Sequence, residues 1–333
     1  MKPLQVTGVG NAMVDVIARV DEAFLAELRV ERGVMTLIDR ERGLELYAAM
    51  TGTREVSGGS AANTIAGLAS LGARTAYVGK VKDDQLGAIF AHDLRALGAG
   101  YDTPLAPRDH PHETGRCLVV VTPDGERSMS TYLGVSEHLG PDDIDAAQMA
   151  ASEWLFLEGY RFDGPQSHAA FARAIRACKA GGGRVAITLS DPFCVERHRD
   201  AFLTMIREDV DLLVANEHEL KSLYLTEDLE FAIERARAEV AVTACTVGAA
   251  GAHVIAGEAR VHAPAVATRV VDATGAGDLF AAGLLWGIVE GRDWLTAARM
   301  GCVAAAEVIG HYGARPEEDL RGLFAAAGLA QAG

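Results

Sequence analysis

The sequence predicts an α/β fold built on a doubly wound, mostly parallel sheet that is flanked by helices on both faces. Short apolar runs such as "LQVTGVG" and "VDLLVAN" are typical of strands that are buried on both faces. These runs alternate with helix-patterned segments such as "SHAAFARAIRACKAGG". Apolar strands that alternate with helices favour a parallel sheet. The 333 residues can bury a sizeable core, in one large domain or in two smaller ones.

The predicted elements follow one another in a regular order. The chain opens with the buried strand "LQVTGVG". A helix of small residues is predicted from about Ala61 to Leu71, and the strand "TAYVG" and the amphipathic helix "DQLGAIFAHDLRALG" come next. Four further apolar strands are predicted at "WLFLE", "RVAITLS", "VDLLVAN" and "VAVTACTVG". From Ala276 to about Ala326 the pattern is almost wholly helical.

One region departs from this alternation and predicts a second, smaller sheet. The segment "GRCLVVVTPDGERSMSTY" has the pattern of two strands joined by Pro-Asp-Gly, which is a hairpin signature. The run "VDVIARV" near residue 17 is also strand-like. These pieces could form a small separate sheet. It is either a flap over an active site or a plain extension of the main sheet.

Composition excludes several classes of partner. The formal net charge of −15 disfavours nucleic acid and anionic membrane surfaces. We find no apolar stretch long enough for a bilayer, and "MKPLQVTGVGNAMVD" lacks the apolar core of a signal peptide. The five cysteines form no C-x-x-C pair and are typical of the reduced, buried thiols of a cytoplasmic protein. His110 and His112 form an H-x-H pair without a further ligand nearby, so we expect no metal cluster there.

Two common nucleotide-binding motifs are incomplete or missing. Gly8 and Gly10 follow a predicted strand, but Met13 stands where the third glycine of G-x-G-x-x-G would be. The segment also continues as a strand where a dinucleotide site needs a helix. A G-x-x-x-x-G-K-[ST] motif is absent from the sequence. Any phosphate handling must therefore use another glycine-rich turn.

Two glycine-rich turns are candidates for that role. In "SGGSAANTIAGLASLG", Gly58 and Gly59 would let a ligand approach the backbone, and Asn63 would lie in the first helical turn. The alternative is simple capping of the helix by Ser57 or Ser60. In "DATGAGDLF", two carboxylates flank Thr-Gly-Ala-Gly at a strand-to-helix turn. This turn is either an anion cradle with a carboxylate aimed into it or an ordinary acidic helix start.

Together these segments resemble the signature regions of the PfkB, or ribokinase-like, family of small-molecule kinases. Between them "ANEHE" is similar to the family's N-x-x-E motif, here Asn216 and Glu219. "TVGAAGA" is similar to its T-x-G-x-x-G nucleotide loop, here Thr246, Gly248 and Gly251. The four motifs occur in the family's order and cover nearly the whole chain. Within the family, "VGNAMVDVIARV", "PDGERSMSTYLG" and "LSDPFCVERHR" most resemble the adenosine kinases, particularly bacterial ones.

The resemblance implies a single ribokinase-like kinase domain over residues 1–333, with a phosphoryl-transfer site and a small β-sheet lid that segments about 14–38 and 103–134 form. The backbone N–H groups of Gly275, Ala276 and Gly277 would face the transferring phosphoryl group. Asp278 would receive the proton of the attacking hydroxyl. A carboxylate at a helix N-terminus should be a weak base, because the helix dipole favours its ionised form. Further residues would bind the ribose of the substrate, namely Asp15, Asn11, Asn63, Gly58 and Gly59.

The resemblance also assigns the cofactors, ATP and Mg²⁺. Asn216 and Glu219 would organise Mg²⁺ and its waters, with Glu219 acting through water. The ATP would lie against the loop of Thr246, Gly248 and Gly251.

Arg127 resembles a lid arginine that reaches the phosphates, although it could also be an exposed hairpin residue. Asp272 and the backbone of Thr274 lie where the family often binds a monovalent cation, usually K⁺.

The activity that the resemblance implies is transfer of a phosphoryl group from ATP to the 5′-hydroxyl of a nucleoside, adenosine giving AMP. The alternative within the family is a sugar kinase of the ribokinase or fructokinase type. An alternative of another class is a non-catalytic regulator that binds a nucleoside or a sugar on the same fold. The resemblance is compatible with a monomer or a homodimer, and short motifs do not decide between them.

Overall fold

The computed structural model describes residues 2–329. Within them, the strands are β1 (Leu4–Val9), β2 (Met13–Arg19), β3 (Met35–Leu37), β4 (Arg54–Gly58), β5 (Thr75–Val78), β6 (Gly115–Val121), β7 (Arg127–Tyr132), β8 (Ser152–Glu158), β9 (Arg184–Thr188), β10 (Leu212–Asn216), β11 (Val242–Thr246), β12 (Ala252–Ala256) and β13 (Ala259–Ala263). The α-helices are α1 (Glu22–Glu27), α2 (Arg40–Ala49), α3 (Ser60–Ser70), α4 (Gln85–Ala96), α5 (Ala146–Ala150), α6 (Ser167–Ala180), α7 (Pro192–Glu208), α8 (Glu217–Tyr224), α9 (Leu229–Glu239), α10 (Ala276–Val289), α11 (Trp294–Val308) and α12 (Leu320–Ala326).

The main sheet has eight strands in the order β13-β12-β11-β10-β9-β8-β1-β5. The six strands from β11 to β5 are parallel, and β12 and β13 add an antiparallel edge. The carboxyl ends of parallel strands lie at the same edge of a sheet, so the residues after them meet there. The predicted doubly wound, mostly parallel sheet is confirmed.

Helices cover both faces of this sheet. Along β10, Leu212 and Val214 point into one apolar core, which α3, α4, α10, α11 and α12 complete. The alternate residues Leu213 and Ala215 point into the other core, against α5 to α9. A strand that is buried on both faces needs apolar residues at every position, which explains its continuous apolar run. Within residues 2–329, none of the helices is long and apolar enough to cross a membrane.

The second sheet is small and has five strands in the order β3-β7-β6-β2-β4. The two predicted segments supply β2, β3, β6 and β7, and β4 is an additional strand outside them that pairs with β2. One face of this sheet packs on α1 and α2 through Leu25, Leu46 and Met50. Its other face carries Met13 and Cys117 together with Val119, Val121 and Leu133.

Candidate active site

A cleft of about 900 Å³ lies between the small sheet and the carboxyl edge of the main sheet. The uncovered face of the small sheet gives it an apolar wall, formed by Met13, Met35, Cys117, Val119, Met129 and Leu133. The ends of β8, β9, β10 and β11 and the start of α10 form the opposite, polar wall. Open α/β sheets bind their ligands outside the carboxyl ends of their strands.

The turn before α10 presents free amide groups to this cleft. Gly275 has a φ of +81°, and an added Cβ there would lie 2.7 Å from the Cα of Ala314, so the position requires glycine. The N–H of Ala276 donates to the carbonyl of Ala273 at 3.3 Å. Within residues 2–329, the N–H groups of Gly275 and Gly277 have no hydrogen-bond acceptor. Free amides at a helix N-terminus are a ready site for an anion.

Asp278 follows directly and is held by α3. Ser60 Oγ donates to its Oδ1 at 2.6 Å, and Asn63 Nδ2 donates to its Oδ2 at 3.0 Å. Burial raises the pKa of Asp278 to about 6, although these two hydrogen bonds act to lower it. The helix dipole alone predicts a lowered pKa, but the loss of solvent has the opposite sign and prevails. Asp278 is therefore a stronger base than the sequence predicts.

The start of α3 excludes the capping alternative. Its N-cap is Gly59, which has a φ of +102° and makes no side-chain cap. Ser57 Oγ instead donates to Asp93, and Ser60 Oγ is engaged by Asp278. Asn63 is buried, and within residues 2–329 its Oδ1 has no hydrogen-bond partner. That oxygen is a buried acceptor without a donor among the described residues.

Gly58 and Gly59 provide room for two neighbouring groups. A Cβ at Gly58 would lie 2.4 Å from Oδ1 of Asp15, and a Cβ at Gly59 would lie 2.2 Å from the carbonyl oxygen of Asn11. Asp15 is half-buried, and burial raises its pKa to about 7 against the opposing charges of Arg315 and Arg127. Its carboxylate lines the cleft. The glycine pair thus places Asp15 beside the ligand space.

Asn11 also lines the cleft, but it is tightly bound within the protein. Its Oδ1 accepts from Ser136 Oγ at 3.0 Å and from Arg161 Nη1 at 3.2 Å. Its backbone carbonyl accepts from the Tyr77 hydroxyl at 2.8 Å. Among the contacts within residues 2–329, none uses the amide donors of its side chain, so these remain for a ligand.

Glu158 is a cleft residue that the sequence analysis missed. It ends β8 and is only 1% exposed, and its Oε2 accepts from the N–H of Ala61 at 2.9 Å. Gly10 makes room for it, since a Cβ there would lie 2.4 Å from that oxygen. An acidic residue at the end of the apolar run "WLFLE" is the signal that could have identified it, because such strand ends point to the site.

Asn216 and Glu219 form a capping box at the start of α8. Asn216 Oδ1 accepts from the N–H of Glu219, while Glu219 Oε2 accepts from the N–H of Asn216, both at 2.9 Å. Asn216 Nδ2 donates to the other oxygen, Oε1, at 2.5 Å. Both residues line the cleft. Because each carboxylate oxygen already accepts one hydrogen bond, this arrangement fits a water-mediated contact with Mg²⁺ better than a direct one.

Part of the loop after β11 lines the cleft, and part of it packs against the rest of the protein. Thr246 and Gly248 line the cleft, and Gly248 has a φ of +55°. Gly251 lies outside the cleft lining. A Cβ there would lie 2.1 Å from the carbonyl oxygen of Ala263, so this glycine permits close backbone packing behind the loop. Within residues 2–329, no group of three or more His, Cys, Asp or Glu side chains is arranged to hold a metal ion.

Arg127 reaches from β7 of the small sheet to the turn before α10. Its Nη2 lies 2.5 Å from Oδ2 of Asp272, and its Nη1 donates to Thr274 Oγ1 at 2.7 Å. The Arg127 side chain is 8% exposed and that of Asp272 is fully buried. Arg127 is therefore not an exposed hairpin residue. Asp272 holds a guanidinium where the family resemblance implies a monovalent cation.

The buried carboxyls predict how stability depends on pH. Burial raises the pKa of Glu158 and of Glu219 from 4.5 to about 7. Between these values the folded protein retains protons that the unfolded chain has released. Stability should therefore be highest below about pH 4.5, fall as the pH rises to about 7, and then level off as far as these groups determine it.

The melting temperature of the unliganded protein between about pH 5 and 8 measures this dependence. Glu158→Gln should reduce its slope, whereas Glu258→Gln should leave the slope unchanged, since the Glu258 side chain is 99% exposed. Equal slopes for Glu158→Gln and the wild type would contradict the assignment.

Known proteins are similar to this chain over most of its length. The family model described as pfkB family carbohydrate kinase matches residues 33–320. The crystal structure of a probable sugar kinase from Rhizobium etli is 43% identical, covers 99% of this chain and 100% of its own, and has a TM-score of 0.94. The crystal structure of an adenosine kinase from Sinorhizobium meliloti is 45% identical, covers 98% and 100%, and has a TM-score of 0.91.

A relative of another specificity is similar over much of its length. The ATP-dependent ribose-1-phosphate kinase of Halopiger xanaduensis is 31% identical over 260 residues, which are 78% of this chain and 80% of that protein. The similar proteins thus include a probable sugar kinase, a sugar-phosphate kinase and an adenosine kinase. The family match covers most of the chain, and the order of the four motifs agrees with it. The chain therefore belongs to the pfkB family of carbohydrate kinases.

Proposed function

We propose that the protein transfers the γ-phosphoryl group of ATP to the 5′-hydroxyl of a nucleoside, with adenosine giving AMP. The observation that carries this proposal is the pairing of two walls in one cleft. Asp278 and the free amides of Gly275 and Gly277 lie on the polar wall, and the small sheet contributes an apolar wall of methionine, valine and leucine side chains. A purine base needs such an apolar surface, whereas a free sugar binds mainly through its hydroxyls.

Asp278 is the base of this reaction. With a pKa of about 6 it is ionised at neutral pH and can accept the proton of the attacking hydroxyl. Ser60 and Asn63 fix both of its oxygens, so the carboxylate also aligns the nucleophile. Most of the catalytic effect in phosphoryl transfer comes from positioning and from charge stabilisation, which the N-terminal amides of α10 supply to the γ-phosphoryl oxygens.

ATP would lie along the ends of β10 and β11, against Asn216, Thr246 and Gly248. Mg²⁺ would be held through water by Glu219, and it supplies charge neutralisation to the phosphates. Arg127 would face the phosphates from the small sheet. Asp15 and the free Oδ1 of Asn63 would accept hydrogen bonds from the ribose hydroxyls, and the amide of Asn11 would donate to them.

A sugar kinase is the second candidate, because the polar wall alone would also bind a sugar. Asp15 and Asn63 would bind sugar hydroxyls whatever group the anomeric carbon carries. The Rhizobium etli protein is described as a probable sugar kinase, and the Halopiger xanaduensis protein as a ribose-1-phosphate kinase. The two candidates differ only in whether the apolar wall contributes to binding.

A substrate panel with ATP and Mg²⁺ tests the proposal. Adenosine, inosine, guanosine, ribose, ribose 1-phosphate and fructose would be compared by kcat/KM. We expect adenosine to be the best substrate and free ribose to be far poorer. A higher kcat/KM for ribose, ribose 1-phosphate or fructose would replace the nucleoside by a sugar. Binding without turnover of any acceptor would favour the non-catalytic regulator.

Gly277 offers a separate test of the anion cradle. Within residues 2–329, an added Cβ at this position meets nothing within 4 Å, although Gly277 lines the cleft. Gly277→Ala should therefore fold with at least wild-type stability, since alanine suits a helix better than glycine does. The methyl group would displace the phosphoryl group from the amides, and turnover should fall by on the order of 10²-fold.

A matched control for this variant is Gly43→Ala. Gly43 lies in α2, and its added Cβ would have only ordinary contacts of 3.6 Å or more. This change should leave turnover unaltered. If Gly277→Ala retains wild-type turnover, the phosphoryl group does not approach this turn.

A further inference from the structure

The charges of the cleft are strongly unequal. Within residues 2–329, nine carboxylates line it, and Arg127 is the single arginine or lysine among the lining residues. The carboxylates are those of Asp15, Asp124, Glu126, Glu158, Asp163, Glu217, Glu219, Asp272 and Asp278. A site that must receive a nucleotide needs compensating positive charge at defined places. The position of this single cation is therefore informative.

Arg127 makes its contacts to the turn that precedes the anion cradle. Nη2 lies 2.5 Å from Oδ2 of Asp272, and Nη1 donates to Thr274 Oγ1 at 2.7 Å. Thr274 is adjacent to Gly275, where the free amides begin. The guanidinium thus contacts Asp272 and Thr274. These are the two residues that, by the family resemblance, would bind a monovalent cation.

Two backbone N–H groups also donate to Asp272. Its Oδ1 accepts from the N–H of Thr274 at 3.0 Å, and its Oδ2 accepts from the N–H of Gly313 at 2.9 Å. The side chain is fully buried. A buried carboxylate must be paired with a positive charge, and Arg127 already pairs with this one. A K⁺ ion on the same carboxylate would lie close to the guanidinium and would be repelled by it. The residues around Asp272 therefore do not fit K⁺ while Arg127 is in place.

We propose that the Arg127 guanidinium is the resident cation of the cradle turn, so that this protein needs no monovalent cation at Asp272. The cradle turn is the turn of residues 272–277 at the start of α10. The role of this turn in binding the γ-phosphoryl group rests on the proposed function, whereas the pairing of Arg127 with Asp272 does not. Unlike a free ion, this positive charge belongs to a side chain of β7. The charge that fixes the turn is carried by the small sheet, so the turn is neutralised only when that sheet lies over the cleft.

Thermal melting in different salts tests the proposal without substrate. Wild type, Arg127→Ala and the control Arg32→Ala would be melted in chlorides of K⁺, Na⁺ and tetramethylammonium at equal ionic strength. Arg32 is also an arginine of the small-sheet region and pairs with Asp124, but its side chain is 45% exposed. We expect the melting temperature of the wild type to be the same in all three salts, and we expect the same independence of the salt for Arg32→Ala.

Arg127→Ala should melt lower and be stabilised by K⁺ over tetramethylammonium by about 2 °C or more, because the freed carboxylate can then bind the small cation. Adding Asp272→Asn to Arg127→Ala should abolish that difference. Stabilisation of the wild type by K⁺, or indifference of Arg127→Ala to the salt, would overturn the proposal. If Arg127→Ala fails to fold, Arg127→Lys retains the charge and should remain indifferent, and a K⁺ effect on it would contradict us.

The result is independent of the substrate assignment, since no nucleoside, sugar or ATP is present. Turnover in the same salts adds a second readout once a substrate is known. Wild-type kcat should be equal in K⁺ and tetramethylammonium, and the kcat of Arg127→Ala should be higher in K⁺. If adenosine is not the best substrate but the melting temperatures depend on the salt as expected, the proposed function is wrong and the proposal for Arg127 is retained.

Discussion

Replacing Asp278 with asparagine should lower turnover by about 10²–10⁴-fold, the usual contribution of a general base, with little change in substrate affinity. Asparagine keeps the size of the side chain and can still meet Ser60 and Asn63. It cannot accept the proton of the attacking hydroxyl, and it lacks the charge that aligns it. The measurement is kcat and KM for the best acceptor, with the binding of ATP followed separately.

Asp293→Asn is a suitable control for this change. Asp293 is also an acidic residue at a helix start, where it caps α11 by accepting from the N–H of Thr296 at 3.0 Å. It is exposed and does not line the cleft. Its replacement should leave kcat unchanged. Near-wild-type turnover of Asp278→Asn would show that another group is the base.

Asp15→Ala should weaken adenosine binding by roughly 1.5–3 kcal/mol, the range for hydrogen bonds to a charged group, or about 10- to 150-fold in Kd. Asp15 lies on β2, across from β4 and the glycine turn, and its carboxylate faces the cleft. Removing the 2′-hydroxyl of the nucleoside should cost a similar factor with the wild type and much less with the variant. The binding should be measured near pH 8, because the raised pKa of about 7 leaves Asp15 partly protonated at neutral pH.

The pH itself gives an internal check on Asp15. Below pH 7 the carboxyl gains its proton and loses charge-assisted acceptance, so the wild type should approach the variant in affinity. Asp21→Ala is the control, since Asp21 caps α1 of the same region and is exposed. Equal losses of affinity for adenosine and 2′-deoxyadenosine in Asp15→Ala would separate Asp15 from the 2′-hydroxyl.

The main sheet was predictable because its strands are buried on both faces. Continuous apolar runs such as that of β10 have few alternatives in a chain that also shows helical segments. β4 was not predicted, because its sequence "REVSG" is polar. It is an edge strand of the small sheet, and an edge strand is less enclosed by its neighbours than a central strand, so it does not need a continuous apolar run. The short helices α1 and α2 were missed for a related reason, since α2 has little apolar periodicity.

The site was predictable where its residues lie within one motif. The turn at Gly275 and the glycine pair at Gly58 are local, and their backbone needs are visible in the sequence. The contact of Arg127 with Asp272 joins β7 of the small sheet to the turn before α10, and these segments are too far apart in the sequence for residue spacing to predict it. The pKa of Asp278 could not be inferred either, because it depends on how much protein surrounds the carboxyl, and the helix dipole gave the wrong sign.

The placement of Asp15 on the small sheet and of Asp278 on α10 also bears on wasteful hydrolysis of ATP. Under the proposed function, the acceptor contacts Asp15 with its sugar hydroxyls and Asp278 with the hydroxyl that is phosphorylated. It thereby connects the small sheet with α10 across the cleft. Water has no ring that could carry a second hydroxyl to Asp15, and we therefore expect hydrolysis of ATP to be slow when no acceptor is bound.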